Sequence, residues 1–204
     1  VKHLFVLRHA QSEHHVRDYT GGWTDLPLTE LGFQQAERLA ERVADAVAGG
    51  PVTLFSSDLQ RAEMTARALA KRLGVAPHLD RGLRELDNGQ AAGLSSAAAR
   101  AIARERTEPL IDWQHYPGAE TWREMTDRVA ACMDRLAPLC VGTAIVVSHG
   151  GSGTAIIKWW LGLPESCRHS VNFELDPASL TELCENQWRE RVIVRLNDTA
   201  HLCS

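Results

Sequence analysis

Three short apolar runs set the frame for this chain: LFVL at residues 4–7, VTLF at 52–55 and AIVV at 144–147. Their length and their branched and aromatic content suit strands buried inside a sheet. Each run stops at polar residues with chemistry to offer. Arg8 and His9 follow the first, and Ser56, Ser57 and Asp58 follow the second, with Arg61 just beyond. Ser148, His149 and Gly150 follow the third.

Between these runs the pattern switches to helical spacing. Thr29 can cap a helix that carries Ala36, Leu39, Ala40, Val43, Ala44 and Val47 on one face, ended by Gly49, Gly50 and Pro51. The SSD segment offers caps for a second helix, with Leu59, Ala62, Ala66, Leu69 and Leu73 on one face and Gly74 just past its end. An alanine-rich helix is expected over residues 96–106, and Trp122, Met125, Val129, Met133 and Leu136 mark another. Two closing strands, 180–184 and 192–196, flank the polar link ENQWRE. This alternation predicts an α/β layered domain. In a parallel sheet the carboxyl ends of the strands lie along one edge, where open α/β folds bind ligands. Residues more than a hundred positions apart then line one crevice.

Such a crevice holds two arginines and two histidines beside helix N-termini, which suits a compact polyanion such as phosphate. Guanidinium forks match phosphate oxygens, and helix N-termini present N–H groups without intrahelical partners. Gly150 and Gly151 let backbone amides come close. His3, His14 and His15 show no repeated ligand spacing and read as incidental or supporting rather than metal ligands. Trp23, Trp122, Trp159 and Trp160 read as packing residues.

Composition narrows the partners. The net charge is −4, with 24% charged residues and no long block of one sign, so a broad nucleic-acid surface is not expected. No stretch approaches the roughly 20 apolar residues that cross a bilayer, and the first residues lack a signal peptide's apolar segment. Five scattered cysteines without a CxxC pair read as reduced thiols, which predicts a cytoplasmic protein with no zinc site. At 204 residues without a linker, the expectation is one domain over 1–204.

Several ordered segments carry a family resemblance. LRHAQSEHHV resembles the RHG signature of the histidine phosphatase superfamily, which includes the cofactor-dependent phosphoglycerate mutases. GGWTDLPLTELGFQQA is similar to the segment that follows it there. SSDLQRAEMTA resembles the second arginine motif, LRELDNGQAAGL the acidic loop, VVSHGG the second histidine motif and RLNDTAHL the closing strand and tail. The resemblance implies a three-layer αβα sandwich with a mostly parallel central sheet, and a small helical or loop insertion over the site at about 91–119. It implies that His9 is the nucleophile and becomes a phosphohistidine, and that Arg8, Arg61 and His149 hold the phosphoryl group. Glu85 is then the proton donor, with Asp87 as the competing carboxylate. Gly22 and Gly150 fall among the substrate-binding positions. Neither a metal nor a cofactor is required, because fixed cations can stabilise the charge on the phosphoryl oxygens.

Two positions depart from the family pattern. Ala10 stands where glycine is common, which is tolerable if φ is negative there. His15 stands where an asparagine often contacts the phosphoryl group, so it is either a phosphate ligand or withdrawn from the site. The expected function is hydrolysis of a small phosphorylated metabolite. A mutase-type phosphotransferase and a non-catalytic phosphate-binding module are the alternatives. Mutases of the family follow the acidic glutamate with an Arg-His-Tyr-Gly stretch, whereas Glu85 is followed here by Leu86, Asp87, Asn88 and Gly89. Trp113, His115 and Tyr116 either meet the leaving group or pack the insertion onto the core. A homodimer is compatible with the family's range of assemblies.

Overall fold

The structure is a computed structural model that describes residues 1–47, 49–168 and 170–203, without the side chains of Glu165 and Arg168. The chain opens with β1 (His3–Arg8), α1 (Glu13–Val16), α2 (Glu30–Val47), β2 (Val52–Ser56), α3 (Gln60–Leu73) and β3 (His78–Leu79). After 3₁₀ turns come α4 (Ser96–Ala101), α5 (Trp122–Leu136), β4 (Thr143–Ser148), α6 (Gly150–Leu161), α7 (Glu165–Arg168), β5 (Leu180–Glu185) and β6 (Arg191–Asp198). The strands form one sheet in the order β3-β2-β4-β1-β5-β6. The pairs β2–β3, β2–β4 and β4–β1 are parallel, while β5 and β6 join antiparallel at one edge.

Side chains alternate along the strands and so build two cores. Phe5, Leu7, Leu54, Ile145 and Val147 face Leu39, Val43, Ala62, Ala66 and Leu69 of α2 and α3. Leu4, Val6, Phe55, Ala144 and Val146 face Met125, Val129, Met133, Ile156 and Trp160 of α5 and α6. The result is the αβα layering expected from the sequence.

Register makes the polar strand ends meet. Arg8 lies opposite Ser148, and Ser56 opposite Val147. The ladder continues one residue further, with the His9 N–H donating to the Ser148 carbonyl at 2.9 Å and the Ser57 N–H to the Val147 carbonyl at 3.0 Å. Arg8–His9, Ser57 and His149 therefore occupy one rim.

Some local expectations change. The alanine-rich helix stops at Ala101 rather than 106, because the Arg104 N–H donates to the His115 carbonyl at 2.9 Å instead of continuing the helix. The N-terminus of α3 is not capped by the SSD side chains alone. Asp25 Oδ1, from a distant loop, accepts the Gln60 N–H at 2.7 Å, and Ser57 Oγ takes only the Leu59 N–H at 3.3 Å. β3 has two residues and gave no apolar run to read. Thr29 caps α2 as expected, accepting the Gly32 N–H at 3.0 Å. Ala10 is not among the residues with positive φ, so its Cβ is accommodated.

Gly32 ties this scaffold to the site. A Cβ at Gly32 would stand 1.9 Å from the Gln11 carbonyl oxygen, in the loop that follows His9. Backbone cannot yield as a side chain does, so Gly32→Ala is expected to destabilise the fold by about 1–3 kcal/mol, the range for overpacking. Urea denaturation checks it; an unchanged midpoint would mean that the loop is free to shift.

Candidate active site

His9 sits just past β1, 2% exposed, and Arg61 and His149 are each 1% exposed. Hydrogen bonding fixes the His9 tautomer. Its Nδ1 donates to the Ala10 carbonyl at 2.8 Å, which leaves Nε2 with the lone pair. Arg61 Nε donates to that Nε2 at 3.2 Å. Burial first, then His149, Arg61 and Arg8, hold His9 well below the usual imidazole range, so the ring is neutral at physiological pH.

Arg61 rises from the first turn of α3 and is anchored by carbonyls rather than by an acid. Its Nη1 donates to Thr24 O at 2.8 Å and its Nη2 to Gly22 O at 2.6 Å. Burial pushes it down to about 10, against the opposing pull of Glu85 and Asp25, so it stays cationic. Gly22, expected to bind substrate, thus enters the site through its carbonyl, by holding Arg61. Its φ is +60°, and a Cβ there would lie 2.6 Å from the Leu86 carbonyl, so glycine is required. Arg8 is anchored by a bond from Nη1 to Leu175 O at 2.5 Å, and burial lowers it while Glu85 and Asp176 raise it.

His149 precedes α6, its ring 4.9 Å from that of His9. Its Nε2 meets Ser57 Oγ at 2.9 Å. Burial, then Arg61, keeps it neutral in the free site. Among the described residues, His149 Nδ1 and Arg8 Nε are buried without a hydrogen-bond partner. Buried polar atoms of this kind are costly unless something polar meets them.

His15 has not withdrawn. Its Nδ1 accepts the Ser12 N–H at 3.0 Å, so the proton must sit on Nε2. That Nε2–H stands 3.1 Å from Arg8 Nη2, another donor. Two donors meeting at this distance call for an acceptor shared between them, and an anionic oxygen fits. The His15 ring stacks on His9, with centroids 5.5 Å apart. His14, read from the sequence as incidental or supporting, takes the supporting place: it lies 4.0 Å from His15 ring to ring, and its Nδ1 meets Ser12 Oγ at 2.5 Å. Burial and neighbouring positive charge push His14 down to about 3 and His15 to about 4.

The ring nitrogens of His9, His14 and His15 lie within 4.8 Å of one another, a spacing compatible with a metal ion. The donor chemistry opposes it. The lone pair of His15 is already committed to Ser12, and Arg8 and Arg61 place positive charge on either side. The same features welcome an anion.

Glu85 lies against the start of α6. Its Oε2 accepts the Gly151 N–H at 2.9 Å, and its Oε1 accepts the Ser152 N–H at 3.1 Å and the Leu86 N–H at 3.0 Å. Asp87, the competing carboxylate, is spent on a turn, accepting the Gly89 N–H at 2.8 Å. Gly150 lies beside Arg8, whose guanidinium carbon would be 3.7 Å from a Cβ at that position.

Supporting residues escaped the sequence reading. Trp23, expected only to pack, donates from Nε1 to the Glu85 carbonyl at 2.6 Å. Arg128 pairs with Glu120 at 2.7 Å and donates to the carbonyls of Gly82, Arg84 and Glu85, which fixes the acidic loop from below. Ser57, orienting His149, stood in plain view in the SSD cluster. Trp113 and His115 stack on each other at 3.9 Å, with His115 edge-on to Trp122.

Comparison with known proteins gives one consistent picture. The sequence pattern described as "Histidine phosphatase superfamily (branch 1)" matches residues 4–199. The chain is 27% identical over 205 residues to a probable phosphoglycerate mutase of Yersinia pestis, covering 98% of this chain and 94% of the relative. It is similar to a mycobacterial glucosyl-3-phosphoglycerate phosphatase seen in complex with VO3, with a TM-score of 0.78, 27% identity, and 98% and 100% of the two chains covered. It shares its fold with the alpha-ribazole phosphatase of Shigella flexneri, with a TM-score of 0.80, 23% identity and 96% of each chain covered.

Four depressed imidazoles, His9, His14, His15 and His149, give the site a pH signature. An unfolded histidine titrates near 6.5, above all four folded values, so between those limits the unfolded chain binds more protons. Stability is therefore expected to fall as pH drops from about 6.5 toward 4, and vanadate is expected to reduce that loss. Thermal unfolding across the window checks it; a midpoint that is flat or rises on acidification would contradict the neutral cluster.

Proposed function

The chain belongs to the histidine phosphatase superfamily, and from that premise we propose that it is a metal-independent phosphomonoester hydrolase acting through a phosphohistidine on His9. The observation that carries this reading is the lone pair of His9 Nε2, set by the Ala10 bond and facing the Arg61 Nε donor at 3.2 Å, with the His15 and His149 rings 5.5 and 4.9 Å from the His9 ring.

In the first step Nε2 attacks phosphorus, a P–N bond forms and the P–O bond to the leaving group breaks. The leaving alkoxide takes its proton from Glu85. In the second step water attacks the phosphorylated imidazole, gives its proton back to Glu85 and breaks the P–N bond, releasing inorganic phosphate and neutral His9. A carboxylate offers about four lone-pair sites, and backbone N–H groups occupy three of them here. The fourth, on Oε2, is the place for the transferred proton. The phosphoryl charge rests on the two guanidiniums and on His149, which is neutral in the free site and can take up a proton beside a dianion.

Hydrolysis is favoured over mutase chemistry by the loop after Glu85. A mutase must also hold a substrate carboxylate, yet Asp87 and Asn88 shape a tight turn there and bring negative charge instead. The non-catalytic alternative would leave the nucleophile, the anion donors and the proton donor assembled without use. The substrate class supported is a small phosphorylated metabolite.

Arg61→Ala is expected to lower kcat about 10²–10³-fold, the worth of one preorganised donor to developing charge. Steady-state hydrolysis of p-nitrophenyl phosphate in the presence of chelator measures it; near-normal turnover would mean Arg61 does not face the phosphoryl group. Glu85→Gln is expected to slow alkyl phosphates far more than activated aryl phosphates, because good leaving groups need little protonation. Equal losses across a leaving-group series would remove Glu85 from the acid role.

A further inference from the structure

A groove of about 270 Å³ runs between α5, α6 and the turn that carries Leu110 and Ile111. Met125 and Ala155 form its buried base, while Leu110 and Trp122 remain 40% and 39% exposed along it. Lys158 is the one charged residue among the described residues that line it, and no carboxylate does. The groove therefore favours apolar matter and does not repel a negatively charged ester.

Its position matters more than its composition. Gly151 lines the groove and also donates its N–H to Glu85 Oε2 at 2.9 Å. A Cβ at Gly151 would lie 2.5 Å from Glu85 Oε1 and 3.0 Å from the Trp122 ring. The groove thus begins against the carboxyl assigned to protonate the leaving group. From Gly151 to Lys158 it follows α6 for seven residues, about 10 Å at the helical rise.

We propose that this groove is the leaving-group subsite and takes an extended alkyl or aryl chain attached through the ester oxygen. The inference rests on the hydrolase reading and specifies its substrate class as phosphomonoesters with an apolar alcohol portion. The phosphoryl group lies at His9, the ester oxygen at Glu85, and the chain leaves past Gly151 between Trp122 and Ala155. Exposed Leu110 and Trp122 are then covered when substrate binds.

The test compares kcat/KM for ethyl phosphate and octyl phosphate in the wild-type chain and in two groove variants, Thr126→Trp, which fills the groove, and Leu110→Asp, which charges its wall. Circular dichroism confirms folding of each, and one folded variant suffices. The octyl ester is expected to exceed the ethyl ester by at least about tenfold, a modest share of what burying six methylenes can yield. That ratio is expected to fall toward one in the variants. A wild-type ratio near one, or a ratio that survives the folded variants, overturns the subsite while hydrolysis stands. No hydrolysis of either ester, or of p-nitrophenyl phosphate, overturns the hydrolase reading and the subsite with it.

Discussion

Arg61 is a guanidinium buried to 1% exposure beside a neutral imidazole, and carbonyl groups rather than a carboxylate hold it. Taking such a charge out of water is expensive, and two carbonyl bonds recover only part of that cost. Arg8 adds a second cation on the same rim, itself lowered by burial. Everything nearby answers to this excess of positive charge. Added to burial, which is the larger cause, it depresses His9, His14, His15 and His149, and so leaves the His9 ring neutral. It also makes a bound dianion the natural counter-charge, so the energy stored in the free site is returned when a phosphoryl group arrives.

Much of this was legible in the sequence because it follows from local rules. Apolar runs gave β1, β2 and β4, and helical spacing gave α2, α3 and α5. The polar residues at the strand ends had to share an edge once the sheet was parallel, which placed Arg8, His9, Arg61 and His149 together. What stayed hidden depends on contacts distant along the chain. Asp25 caps α3 across 35 residues, Trp23 reaches the Glu85 carbonyl across 62, and Arg128 reaches it across 43. No spacing rule reports such pairs. β3 and the early end of α4 were missed for the same reason, since sheet pairing and a bond to His115 outweighed local propensity.

The position of His15 shows how a departure from the family pattern can still aim a donor into the site. An asparagine offers a side-chain N–H to the phosphoryl group. Here the Ser12 N–H takes the Nδ1 lone pair and so forces the proton onto Nε2, aimed at the same space as Arg8 Nη2. Acidity changes along with reach, because an imidazole can gain a second proton beside an anion. Ala10 is a smaller matter: its backbone needs no positive φ, and its N–H is taken by Thr65 Oγ1 at 3.1 Å.

The central claim is covalent capture of phosphorus by one ring nitrogen. Rapid acid-free quenching during turnover of a radiolabelled phosphomonoester, followed by peptide mapping, tests it directly. The account predicts a base-stable, acid-labile label on the peptide containing His9, formed and discharged at least as fast as product accumulates. Product released with no label on His9, or with the label on another residue, would contradict it.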